Sequence, residues 1–96
     1  MPVITTSRSP GKETRKLARE TAKKFGLLYF NRNQKTVFEA AEKARYEGKK
    51  LIIIVNELLG KPKELQIVEV NKNGFSYSKK FGSLSELEVF LEKAVE

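Results

Sequence analysis

The chain has 96 residues, a net charge of +7 and neither cysteine nor histidine. That length suits one domain around one core, and the missing residue types exclude disulfides, thiolate metal sites, a cysteine nucleophile and the usual general base near neutral pH. All of the positive excess lies in residues 1–50, with 13 basic and 5 acidic residues against 6 and 7 in residues 51–96, an asymmetry that suits a polyanionic partner.

No metal, cofactor or enzyme activity is therefore expected. No apolar run approaches the ~20 residues that span a bilayer. The opening MPVITTSRSP has no signal-peptide pattern. The expectation is a cytoplasmic protein with no membrane partner.

Val3-Ile4-Thr5-Thr6 is β-branched and reads as the first strand. Ser7 to Gly11 follows as a loop, and Ser9 before Pro10 predicts an N-cap with proline at the first helical position. The helix then runs to Phe25, with Gly26 as its left-handed stop. At helical spacing, Thr14, Leu17, Ala18, Thr21, Ala22 and Phe25 form the mostly apolar face. Lys12, Arg15, Lys16, Arg19 and Lys23 gather on the other side, with Glu13 and Glu20 at the margin, where they can pair with nearby bases.

Leu27–Phe30 reads as a second strand, apolar throughout and expected to be covered on both faces. After the polar loop 31–35, Thr36-Val37-Phe38-Glu39 is a capping box that opens a helix ending at Gly48. Leu51–Val55 is the strongest strand signal, five β-formers without alternation, as in a central strand. Residues 56–64 read as a loop with Gly60 and Pro62. Leu65–Val70 and Phe75–Phe81 are two further strands joined through Asn71-Lys72-Asn73-Gly74, a link that ends in Asn-Gly, a hairpin cue. In the last strand Phe75, Tyr77 and Phe81 alternate with Ser76, Ser78 and Lys80. Ser83-Leu84-Ser85-Glu86 opens a final helix with Leu84, Leu87, Phe90, Leu91 and Ala94 on its apolar positions.

The order β-α-β-α-β-β-β-α predicts an α/β fold with a single mixed sheet, its first three strands parallel and its last ones antiparallel. Gly11-Lys12 before a helix invites a phosphate-loop reading. The motif fails because Thr6 stands where its first glycine belongs and Glu13 where Ser or Thr must follow the lysine. The physics that survives is the helix N-terminus, a ready site for an anion, with Arg8 beside it able to fork onto a phosphate. Arg32, from the loop after the second strand, belongs to the same carboxyl edge of the sheet. Tyr29, Phe30, Phe75 and Tyr77 could stack on bases, although Phe30 and Phe75 suit a core better. Glu57, after the third strand, is a candidate general base without an identified neighbour.

Thr5-Thr6-Ser7-Arg8 with Pro10, Asn31-Arg32-Asn33 and Glu57-Leu58-Leu59-Gly60-Lys61-Pro62 together resemble the N-terminal half of the Brix domain, over residues 3–70. Asn33 stands where the family's turn has glycine. The resemblance implies an archaeal-type ribosome biogenesis factor in rRNA processing or assembly, binding ribosomal RNA or its precursor beside ribosome assembly proteins. It also implies a fold similar to the anticodon-binding domain of class II aminoacyl-tRNA synthetases, and by motif match it carries over Arg8 and Arg32 as RNA contacts. A Brix domain has two similar halves and this chain holds one, which leaves open a minimal homologue or a homodimer.

Two functions follow as expectations. The first is a non-catalytic RNA-binding module that uses Arg8, Lys12, Arg15, Lys16, Arg19, Lys23 and Arg32 together with the helix N-terminus. The alternative is a protein-interaction module that docks an acidic partner on the same face.

Overall fold

The β-forming runs of the sequence assemble into one five-stranded sheet in the computed structural model, which describes residues 2–94. In chain order the elements are β1 (Val3–Thr6), α1 (Lys12–Phe25), β2 (Leu28–Tyr29), α2 (Val37–Tyr46), β3 (Leu51–Leu58), β4 (Lys61–Asn71), β5 (Gly74–Phe81) and α3 (Leu84–Ala94). The sheet order is β2-β1-β3-β4-β5. β1 pairs in parallel with β2 and β3, while β3–β4 and β4–β5 are antiparallel. The predicted α/β class, element order and mixed sheet are those observed. The side chain of Ala94 lies outside the described residues.

Helices cover both faces, which explains why Ile52–Val55 is apolar without alternation. On one face Ile4, Ile53, Val55, Leu65 and Ile67 pack under Ala18 and Ala22 of α1 and Leu87 and Leu91 of α3. On the other, Val3, Ile52, Ile54 and Val68 pack with Phe30 under Ala40, Ala41 and Ala44 of α2. Alanine at three contact positions lets α2 lie close to the sheet. Its capping box forms as predicted, with Thr36 accepting from the Glu39 N–H and Glu39 accepting from the Thr36 N–H.

Several expectations change. β2 is only two residues long and lies at the sheet edge, so Leu28 is 40% exposed rather than covered on both faces. The expected loop 56–64 is instead a tight hairpin: β3 continues to Leu58, β4 begins at Lys61, and Leu59 and Gly60 turn between them at φ 52° and 80°. Both central residues are left-handed, as in the type I′ turn that matches the twist of paired strands. Pro62 fits inside β4 because the register shifts there, between Asn56 and Glu57 of the partner strand. The β4–β5 turn forms where predicted, centred on Lys72-Asn73 within the link 71–74, with the Asn71 side chain accepting from the Asn73 N–H.

The alternation expected along β5 is broken. A register shift between Gln66 and Val68 of β4 sets Ser78-Lys79 against Ile67 alone. Phe75 therefore packs with the α2 side of the core and Phe81 with the α1–α3 side.

Candidate nucleic-acid interface

Helical geometry sorts α1 into two parts. Thr14, Ala18, Thr21 and Ala22 are buried against the sheet, and Lys12, Arg15, Lys16, Arg19 and Lys23 are exposed. Four of these five, Lys12, Arg15, Lys16 and Arg19, line a single shallow depression with Glu20. The expected pairing with Glu13 and Glu20 does not form. Among the described residues, ion pairs join Arg45 to Glu42 at 2.6 Å and Lys80 to Glu64 at 3.6 Å, and neither involves the stripe. Arg19 lies over the ring of Tyr29, 5.8 Å from its centroid, which steadies one guanidinium while leaving its edge open.

The N-terminus of α1 is not the vacant anion site expected. The N-cap is Gly11, whose own residue supplies no capping side chain, and the helix starts at Lys12 rather than Pro10. Ser9 is left-handed at φ 51° and its hydroxyl accepts from the Gln34 amide at 2.6 Å, so it links two loops instead of capping. The cap comes from 46 residues away. Glu57 Oε1 accepts from the Gly11 N–H at 2.7 Å and from the Thr14 hydroxyl at 2.5 Å. A carboxylate already answers the helix dipole there.

The cause is the length of β3. Because the strand continues past Val55, Glu57 falls in phase with Ile53 and Val55 and faces α1. Gly11 leaves room for the contact: a Cβ there would lie 3.0 Å from Glu57 Oε1 and 3.2 Å from the Gly60 carbonyl oxygen, so both neighbours would have to give by a few tenths of an ångström. Thr14, placed on the apolar face by the sequence reading, is the second donor. Its hydroxyl, on the buried face at the first turn of the helix, was the available signal.

These two hydrogen bonds, that of Thr14 first and that of Gly11 second, hold the Glu57 carboxyl below its ordinary pKa, against a smaller opposing effect of burial. A depressed pKa makes the Glu57 carboxylate a weaker base than an ordinary one, which counts against the general-base role considered from sequence. Glu39 is lowered as well, by the backbone and side-chain hydrogen bonds of Thr36. A group depressed in the folded state stabilises the fold above its unfolded pKa, and the contribution is lost as pH falls through the folded one. Urea melts at a series of pH values should therefore show stability falling below the ordinary carboxylate range. In Glu57→Gln the acid limb should be shallower and the neutral-pH stability lower.

Arg8 and Arg32 both come to the carboxyl edge of the sheet, as predicted, but they differ in kind. Arg8 is exposed and lies near enough to Arg32 and Glu39 to act on the charge of both. Arg32 is only 6% exposed. Its Nη1 donates to the Thr6 carbonyl at 2.7 Å and its Nε to the Lys35 carbonyl at 2.6 Å. Burial, and then the neighbouring charge of Arg8, lower its pKa. Arg32 thus braces the end of β1 against the 31–36 loop and does not stand with the exposed bases; the planar fork of guanidinium suits two carbonyls better than a lysine would.

Of the four aromatic residues considered for stacking, Phe30 is in the core, Phe75 is half-buried edge-on to Tyr77, and Tyr29 lies beneath Arg19. The Tyr29 hydroxyl is buried without a hydrogen-bond partner among the described residues. Tyr77, 55% exposed, is the one of the four with an open ring.

The mixed sheet, with α1 and α3 on one face and α2 on the other, defines an α/β domain of a known fold. An archaeal Imp4-like protein, Mil, superposes with a TM-score of 0.68 at 23% identity over 77% of this chain and 45% of its own. A probable ribosomal biogenesis protein from Aeropyrum pernix superposes with a TM-score of 0.75 at 23% identity, over 82% of this chain and 45% of its own. The chain thus matches less than half the length of either. No protein-family model and no curated protein sequence matches it. No helix among the described residues is long and apolar enough to cross a membrane.

Proposed function

We propose that this domain binds RNA without catalysing a reaction and serves in ribosome biogenesis, with ribosomal RNA or its precursor as the partner. The observation that carries the reading is the α1 stripe. Five exposed cations on one face of the helix, with no ion-pair partner among the described residues, raise the local potential at some cost in mutual repulsion. A phosphate backbone removes that repulsion and releases its own counterions. Lys12, Arg15, Lys16, Arg19 and Lys23 are the phosphate contacts. Arg8, at the carboxyl edge, sets register, and Arg32 acts as a brace that positions the loop beside it. The helix N-terminus, occupied by Glu57, is not a contact. The biological setting draws on the fold neighbour that is a probable ribosomal biogenesis protein.

Filter binding of single-stranded RNA over a salt series tests the electrostatic part. With four or five phosphates engaged, log affinity should fall against log salt with a slope of about −3, and a flat curve would overturn the reading. Crosslinking in cells followed by sequencing tests the setting: ribosomal RNA should be enriched over its abundance, and its absence from the crosslinked pool would refute it.

A further inference from the structure

The tip of the β3–β4 hairpin runs against what stability alone would select. Leu59 is 93% exposed and left-handed at φ 52°. A side chain with a Cβ is strained in that region, and Asn or Gly is the usual occupant of the first central position in such a turn. An exposed leucine recovers nothing by burial to offset the strain. Leu58 beside it is 51% exposed, so two apolar side chains stand at the end of a ribbon in water.

The tip does not stand alone. Glu57 of the same hairpin caps α1, and the Gly60 carbonyl lies so close to Gly11 that a Cβ on Gly11 would come within 3.2 Å of it. The turn is thereby fastened to the end of α1 where the basic stripe begins with Lys12. Lys61 and Lys63, both exposed, flank it on the returning strand. The apolar tip therefore lies at the N-terminal end of α1, and of the two carboxylates in the same hairpin Glu57 is bound to Gly11 and Thr14 and Glu64 pairs with Lys80.

We infer that Leu59 is an apolar wedge of the RNA interface, packing against an unstacked base while Lys61 and Lys63 hold the adjoining phosphates. The inference rests on the RNA-binding reading above and adds a non-electrostatic contact to it. Lys61 and Lys63, which have no ion-pair partner among the described residues, are what favours RNA over an apolar protein surface. Leucine is among the side chains that nucleic-acid-binding proteins insert between bases. Bases in single-stranded RNA are already free to be met in this way.

The test separates this contact from the stripe. Leu59→Asn removes the apolar side chain and suits the left-handed turn, so its Tm should equal or exceed that of the parent. Its affinity for a labelled single-stranded RNA should fall about tenfold, the effect of losing one buried leucine contact, with the salt slope unchanged because no phosphate contact is lost. As a direct readout, Leu59→Trp places the sole tryptophan of the chain at the tip, and RNA should quench its fluorescence. Parental RNA affinity in Leu59→Asn, or an unquenched tryptophan in a protein that binds RNA, overturns the wedge and leaves the stripe standing. Loss of a co-purifying protein with unchanged RNA affinity overturns it in favour of a protein partner. A parent protein that binds no RNA at low salt overturns both readings.

Discussion

Replacing Arg15, Arg19 and Lys23 together with serine should lower affinity for single-stranded RNA about 100-fold at ~0.1 M salt. Each phosphate contact on a single strand contributes about 0.7 to the slope of log affinity against log salt, so three lost contacts reduce it by about 2 units. The helix should survive. All three residues are exposed and without ion pairs among the described residues, so the change removes repulsion as well as contacts. Serine has a slightly lower helix propensity, and Arg19 loses its place over Tyr29, costs that the relieved repulsion partly offsets. Circular dichroism should show parental helix content while binding falls. Unchanged affinity in a folded triple variant would move the interface off α1 altogether.

The second large effect concerns stability. Arg32→Met should destabilise the fold by about 3 kcal/mol, since the Thr6 and Lys35 carbonyls each lose a charge-assisted hydrogen bond. For a domain of this size that lowers Tm by roughly 15 °C. Arg32→Lys should recover part of the loss, because one ammonium cannot fork onto both carbonyls. Measured well below Tm, RNA affinity in Arg32→Met should fall far less than in the triple serine variant. The reverse pattern, a normal Tm with sharply weakened binding, would restore Arg32 as a direct contact.

The contrast between these two predictions reflects how differently the two kinds of residue could be read. The stripe is a local property. Its members share one helix, and a rotation of about 100° per residue places them together before any tertiary contact is known. The same holds for the Thr36–Glu39 capping box and the left-handed Gly26, both formed within one turn of chain. Arg32, by contrast, was legible as a residue at the carboxyl edge but not as a buried one. Whether an arginine there faces water or a carbonyl depends on how closely the 31–36 loop approaches Thr6, and no spacing within the loop encodes that.

Glu57 is the clearest case. Ending β3 at Val55, where the apolar run ends, hides the phase that aims its carboxylate at α1. Asn56, Glu57 and Leu58 are strand only because β4 pairs with them around a bulge, with Pro62 at the shifted position. The same pairing turns an expected loop into a hairpin and lifts Leu59 into solvent. Along β5, one extra residue against Ile67 sets Phe75 and Phe81 on opposite faces of the sheet. A bulge is a relation between two strands, and it leaves little trace in either one.

By itself, then, the sequence determined the elements, their order, the mixed sheet and the cationic face of α1, because each follows from a local period or from the physics of chain connection. The tertiary structure alone decided which charges are free to meet a partner. Glu57 closes the helix N-terminus, and Arg32 turns inward to hold a loop. Both outcomes depend on donors and acceptors brought together from 26 to 46 residues apart, and hydrogen bonds at that range are set by strand register and loop approach.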